Sequence, residues 1–232
     1  MSKTCHSETP QAGSESVRKC AFTLAEVLIT LGIIGVVAAL TIPTLMQSYQ
    51  NKQYVSGFQK AWGLLSNAVE MSEAHNGFSS TWDEPVAVGS VDENYMQKYW
   101  LPYFKIIKDC GIAQGQGCMP AEVHYLNGDV GPHNDDLSHY KILISDGMSL
   151  DFAQNIGSNP YRQHIVVDIN GSKGPNIYGR DIFWFEFFAN EDKKIFPFGF
   201  HNDFNIEENC SLSGSGQVCG AYLVKNGYKM DY

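Results

Sequence analysis

Charge is scarce in this chain. Asp, Glu, Lys and Arg make up 18% of its 232 residues, against 44% hydrophobic and 12% aromatic residues. A chain so apolar buries enough surface to offset its ordering entropy, which excludes wholesale disorder. Positive charge is scarcer still: 16 Lys and Arg stand against 25 Asp and Glu, a formal net charge of −9. Such a balance argues against nucleic acid as the main partner. Also missing are Gly-x-Ser-x-Gly, His-Glu-x-x-His and a Walker phosphate loop, so no residue set supports an enzyme, and Gly214-Ser215-Gly216 reads as a turn. There is no internal repeat and no low-complexity tract. The length suits one compact domain with an appendage.

What the chain does have is one long apolar run near its start. Residues 1 to 20 are polar, small or basic and carry no helical periodicity, as expected of a leader. From Phe22 to Met46 the only charge is Glu26. At about 1.5 Å per residue this stretch crosses a hydrocarbon core of roughly 30 Å, and it exceeds the 7 to 15 or so apolar residues of a cleaved signal peptide. Arg18 and Lys19 immediately precede it. They place the N-terminus in the cytoplasm and the rest of the chain outside. Glu26 reads two ways on position alone: a functional intramembrane carboxylate, or one that snorkels to the interface.

The stretch Lys19-Cys20-Ala21-Phe22-Thr23-Leu24-Ala25-Glu26-Val27-Leu28-Ile29-Thr30-Leu31 resembles the processing and methylation motif of type IV prepilins and type II secretion pseudopilins. The resemblance is specific over about residues 19 to 50 and looser beyond. It implies that Ala21 ends the leader, that Phe22 becomes the N-methylated mature N-terminus, and that Glu26 stands fifth in the mature chain. Gly35 and Pro43 fall where the family has a helix glycine and a kinking proline. Ala21 departs from the usual Gly, and Cys20 precedes it. The implied partners are a prepilin peptidase, other pilin or pseudopilin subunits, an inner-membrane assembly platform and membrane lipid. Physically, cleavage before Phe22 creates an amine about one helical turn from Glu26, and a charge pair of that kind sets register better than it adds stability. Removing the leader, with Lys3, Arg18 and Lys19 against Glu8 and Glu15, takes the net charge from −9 to −10, which disfavours DNA as a fibre ligand.

Beyond the run, Val55, Phe58, Trp62, Leu65 and Val69 are spaced 3, 4, 3 and 4, one face of an amphipathic helix, and Asn76-Gly77 supplies its stop. Residues 22 to 75 can form one helix of about 80 Å, or two helices broken near Pro43. The expected organisation is a leader at 1–21, a transmembrane and polymerisation helix at 22–46, its amphipathic continuation at 47–77, and an external domain at 78–232. In that domain Val91–Trp100 reads as a short helix. Tyr140–Ser145 and Met148–Phe152 flank the hairpin signal Asp146-Gly147, His164–Asp168 is a third strand, and Asp181–Phe188 with Lys194–Phe198 form a second hairpin. The expected fold class is α+β, a long helix packed on an antiparallel sheet in pilin-like fashion.

Cysteines stand at 5, 20, 110, 118, 210 and 219. With the leader removed, Cys110 with Cys118 and Cys210 with Cys219 are the expected local disulfides; free or cross-paired Cys110 and Cys118 remain the alternative. The second pair also resembles the disulfide-bounded C-terminal region of pilins. Asp168-x-Asn170-Gly171, Gly174-Pro175-Asn176 and Gly179-x-Asp181 form the most patterned external stretch, similar to a loop of pseudopilin-like proteins. Two readings stand: a structural turn, or a calcium loop using Asp168, Asn170 and Asp181, as the resemblance to calcium-holding pseudopilins implies. No other cofactor is expected. His124, His133, Asp135, Asp136 and His139 match no tight ligand spacing and read as a solvated loop. The expected function is a structural subunit of a secretion pseudopilus or pilus-like fibre. The alternative is an anchored external domain that binds a ligand or calcium and never polymerises.

Overall fold

A computed structural model describes residues 23–83, 91–132, 139–153, 162–201 and 204–232. The chain divides into two units, residues 1–49 and 50–232. Within the first lies the opening half of helix α1 (Leu24–Asn76). From Leu24 to Tyr49 every side chain is exposed except Ala38, which is half-exposed. Leu28, Ile29, Leu31, Ile33, Ile34 and Leu40 are each more than half exposed. A helix apolar on every side needs lipid or other helices around it, and α1 is long and apolar enough to cross a membrane. Its threonine hydroxyls bond within the helix: those of Thr30, Thr41 and Thr44 donate to the carbonyls of Val27, Val37 and Thr41 at 3.0, 2.9 and 2.9 Å. Helix hydroxyls bonded back onto their own turn need no water. Pro43 lies inside the helix, so the two-helix alternative is not what forms.

The second unit opens on the rest of α1. Its buried face is Phe58, Ala61, Leu65, Ala68, Val69 and Ser72. This is the expected stripe turned slightly, because small residues at 61, 68 and 72 let the helix approach the sheet closely. Trp62 drops to the rim, where its indole Nε1 donates to the Ile195 carbonyl at 2.9 Å and Lys193 Nζ lies 4.1 Å from its ring centroid. The helix ends as expected: Asn76 is its last residue, and Gly77 takes a φ of +81° that a side chain would disfavour.

Helix α2 (Glu93–Tyr99) follows, its first turn capped by Asp92, which accepts the amides of Asn94 and Tyr95. Six strands then form one antiparallel meander in sequence order: β1 (Ile106–Gly111), β2 (Tyr140–Ile144), β3 (Ser149–Ala153), β4 (Arg162–Asp168), β5 (Ile182–Phe188) and β6 (Ile195–Pro197). Both expected hairpins are present, the first turning at Gly147 with φ +81°. Short helices α3 (Ile206–Asn209) and α4 (Cys219–Lys225) close the chain.

Strand alternation gives the sheet two unlike faces. Ile142, Leu150, Phe152, Ile165, Val167, Phe183, Phe185 and Phe187 join the α1 residues in the main core. Phe58 sits at its centre, 5.0 Å from Phe183 and 5.5 Å from Phe185 by ring centroids. Gly220 of α4 closes over it, since a Cβ there would stand 3.0 Å from the Phe58 ring. A second, smaller core of Met119, Val123, Val166, Tyr178 and Ile182 covers part of the opposite face. The architecture is therefore a long apolar helix and a six-stranded antiparallel sheet, an α+β arrangement.

Candidate functional site

Glu26 lies in the first turn of α1 and is tied to the residue before the helix. The Thr23 amide and hydroxyl both donate to Glu26 Oε2, at 3.1 and 3.0 Å, and the Glu26 amide donates to Thr23 Oγ1 at 3.2 Å. Thr-x-x-Glu bonded reciprocally is a capping box, which satisfies donors that a helix start leaves open. The Thr23-x-x-Glu26 spacing is the sequence signal for it. Ala21 and Phe22, the expected processing residues, lie outside the described residues.

Both expected disulfides form, Cys110 to Cys118 and Cys210 to Cys219. The first starts at the end of β1 and closes the loop leading to Met119 and Val123, so it anchors the second core. The second joins α3 to α4 and packs on the patterned loop, where a Cβ on Gly179 would lie 2.8 Å from Cys219 Sγ.

That loop links β4 to β5. Asp181 is fully buried and accepts the amides of Asn176 and Ile177 at 2.9 and 2.7 Å and the Asn170 side-chain amide at 3.2 Å. Asp168, equally buried, accepts the Asn170 amide at 3.1 Å through one oxygen. Its Oδ2 has no partner among the described residues, nor have the side-chain oxygens of Asn170 and Asn176. Burial first, and then the charge of Asp181, pushes the Asp168 carboxyl up to about 8. Burial also raises Asp181, against the three hydrogen bonds it accepts. Three contacts hold the loop in place. Ile169 fills the space a side chain at Gly57 would need, 2.4 Å from that Cβ position. Gly171 (φ +68°) lies against the Gly147 carbonyl, and the Tyr232 hydroxyl donates to the Gly179 carbonyl. The donors reaching Asp181 make it the organising residue of a turn. The oxygens left over on Asp168 and Asn170 are hard donors of the kind calcium takes.

The expected solvated histidine loop divides three ways. His124 is half-buried, bonded to Glu122 at 2.9 Å, while His133, Asp135 and Asp136 lie outside the described residues. His139 departs from the expectation, because its Nδ1 lies 2.9 Å from Oδ2 of the buried Asp151. Asp151 belongs to a polar row on the sheet face opposite α1 that sequence reading missed. Lys141 and Asp151 are cross-strand partners and fully buried. Two strands on from Asp151, Glu186 is buried against Arg162 Nε at 2.7 Å and His164 Nε2 at 3.3 Å. Burial alone would raise the Glu186 pKa, but the His164 ring and the Arg162 guanidinium outweigh it and hold it below the usual glutamate value. Among the described residues no group of three or more His, Cys, Asp and Glu is arranged to hold a metal.

Comparison with known proteins extends over most of this structure. No curated protein and no solved structure matches the chain. One family profile does, over residues 44–231, which takes in the second half of α1, the whole sheet, the patterned loop and both disulfides. By that match, the chain belongs to the family of unknown function DUF6613.

Proposed function

We propose that this chain is a prepilin-like precursor. A prepilin peptidase cleaves it between Ala21 and Phe22, and it polymerises through the first half of α1 into a secretion pseudopilus or pilus-like fibre. The observation that carries the reading is the division of one helix. Its opening half exposes apolar side chains on every side, while its second half buries a stripe against an antiparallel sheet. A helix of that kind suits lipid before assembly and the helices of neighbouring subunits after it. The prepilin-like residues around Phe22 and the carboxylate of Glu26 support the same reading. The domain after α1 stands outside the cytoplasm in this account, consistent with two local disulfides. Its role is mechanical, and no catalysis is assigned to it. The test is Glu26→Ala. The variant is expected to insert in the membrane at normal level and to be poorly incorporated into fibres, and normal incorporation would overturn the assignment.

A second reading is favoured by the unpartnered oxygens of Asp168 and Asn170: an anchored external domain whose β4–β5 loop binds calcium. Asp168 and Asn170 would hold the ion, with Asp181 positioning Asn170. Bound calcium would neutralise a buried carboxylate and stiffen the loop. A melting temperature that falls with chelator and recovers with added calcium supports this reading, and an unchanged melting curve rejects it.

A further inference from the structure

We propose that Met230, Asp231 and Tyr232 form a latch that couples the β4–β5 loop to helix α1. Each of the three ties down a different element. The Met230 carbonyl accepts the side-chain amide of Asn51 in α1 at 3.0 Å. The Asp231 carboxylate accepts the Tyr222 hydroxyl of α4 at 2.8 Å and the Asn226 side-chain amide at 3.2 Å. The Tyr232 hydroxyl donates to the Gly179 carbonyl of the loop, and its ring stands edge-on to Tyr222 with centroids 5.4 Å apart. Met230 is buried in the main core; Tyr232 packs against that core, as do Tyr54 and Val55 of α1 and Ile169 of the loop. Burial raises the Tyr232 hydroxyl above the usual tyrosine value, so it stays a donor through the neutral range.

The latch sits where α1 begins to be held. Asn51 is the second residue of the second unit and, Ala38 apart, the first α1 side chain that is not exposed. The turn that feeds the latch is strained: Gly227 and Tyr228 both take a φ of +61°, a conformation a tyrosine keeps only where its surroundings fix it. After α4 the chain is held by side chains and single hydrogen bonds, not by a strand ladder, and segments of that kind open before a core sheet does. Opening frees Asn51 and Gly179 together. The loop and the helix also meet directly, where Ile169 fills the space beside Gly57, so what loosens one loosens the other. The latch requires neither processing at Phe22 nor a bound ion, and so stands apart from both readings above.

Hydrogen exchange by mass spectrometry on the full-length chain in detergent tests the coupling, with Tyr232→Phe, Asn51→Ala and a chain lacking residues 230–232. Exchange is read in α1 at 51–58, in the loop at 169–179, and in strands β3 and β4 as reference. Tyr232→Phe removes the bond to the loop, and Asn51→Ala the bond to α1. Each is expected to speed exchange about tenfold in both α1 and the loop, the scale of losing one buried hydrogen bond, and to leave the strands as in wild type. The truncated chain should show a larger increase in both regions, and adding Asn51→Ala to it should change the loop no further. The two point variants carry the test if the truncated chain fails to fold. An effect confined to the side that was mutated would overturn the latch, leaving two independent contacts. Strands accelerated as much as the loop would overturn it too, as a general loss of stability.

Discussion

The two halves of α1 are made of similar residues and have opposite surroundings. Ile33, Ile34 and Leu40 in the first half are each at least 60% exposed, whereas Phe58 and Leu65 in the second are fully buried. The difference lies in what the rest of the chain offers. After Gln50 the helix alternates large apolar residues with polar ones, leaving a stripe that one sheet can cover. Before it, the apolar residues go all the way round, and no single sheet could bury them. Hydrophobic residues thus stand in two settings in one element: buried against the sheet in the second half, and exposed in the first on a stretch long and apolar enough to cross a membrane.

That contrast can be broken most directly at Phe58. Phe58→Ala removes the ring that touches Phe183, Phe185 and Gly220, and should cost about 3 to 5 kcal/mol of folding stability in detergent-solubilised protein. The matched change in the first half, Leu31→Ala, should leave the melting temperature unmoved. The buried ion cluster comes next. Glu186→Gln leaves Arg162 without its charge partner and should cost about 2 to 3 kcal/mol near neutral pH, below the roughly 3 to 5 kcal/mol of a fully buried pair because Arg162 is partly exposed. The Glu186 pKa is lowered on folding, so its stabilising contribution is present above the ordinary value of 4.5 and is lost as pH falls through the lower folded value. Wild type and variant should therefore converge on acidification, which pH-dependent calorimetry would show. Replacing Cys210 and Cys219 by Ser should cost about 2 kcal/mol, less than breaking the core because the closed loop is short. Smallest of all, Pro43→Ala should alter the second unit's stability by less than about 0.5 kcal/mol, since Pro43 is exposed and belongs to the first unit.

Much of this fold was legible from pattern. Periodicity found α1, Asn76-Gly77 found its end, and Asp146-Gly147 found the first hairpin, because each depends on a local rule. Strand β1 escaped because Ile106-Ile-Lys-Asp-Cys-Gly lacks clean alternation; the register of this edge strand shifts twice along β2. The pairing of Lys141 with Asp151, and of Arg162 and His164 with Glu186, was not legible. In sequence these are polar residues on strands, and only the folded sheet sets Lys141 opposite Asp151 and brings Arg162 and His164 onto Glu186. The patterned loop was visible as a unit, but spacing could not rank its acids. Asp181, the last of them, gathers the amides, while Asp168 is left with an unpartnered oxygen. The Thr23 and Glu26 capping box follows from a local rule too, the Thr-x-x-Glu spacing just before an apolar helix.

The central claim is that the exposed half of α1 is a processed assembly helix. Intact mass and N-terminal sequence of the membrane-extracted chain, co-expressed with a prepilin peptidase, test it most directly. The account predicts a chain that begins at N-methylated Phe22. A chain that still begins at Met1 with the peptidase present would contradict it and leave an anchored external domain as the reading to pursue.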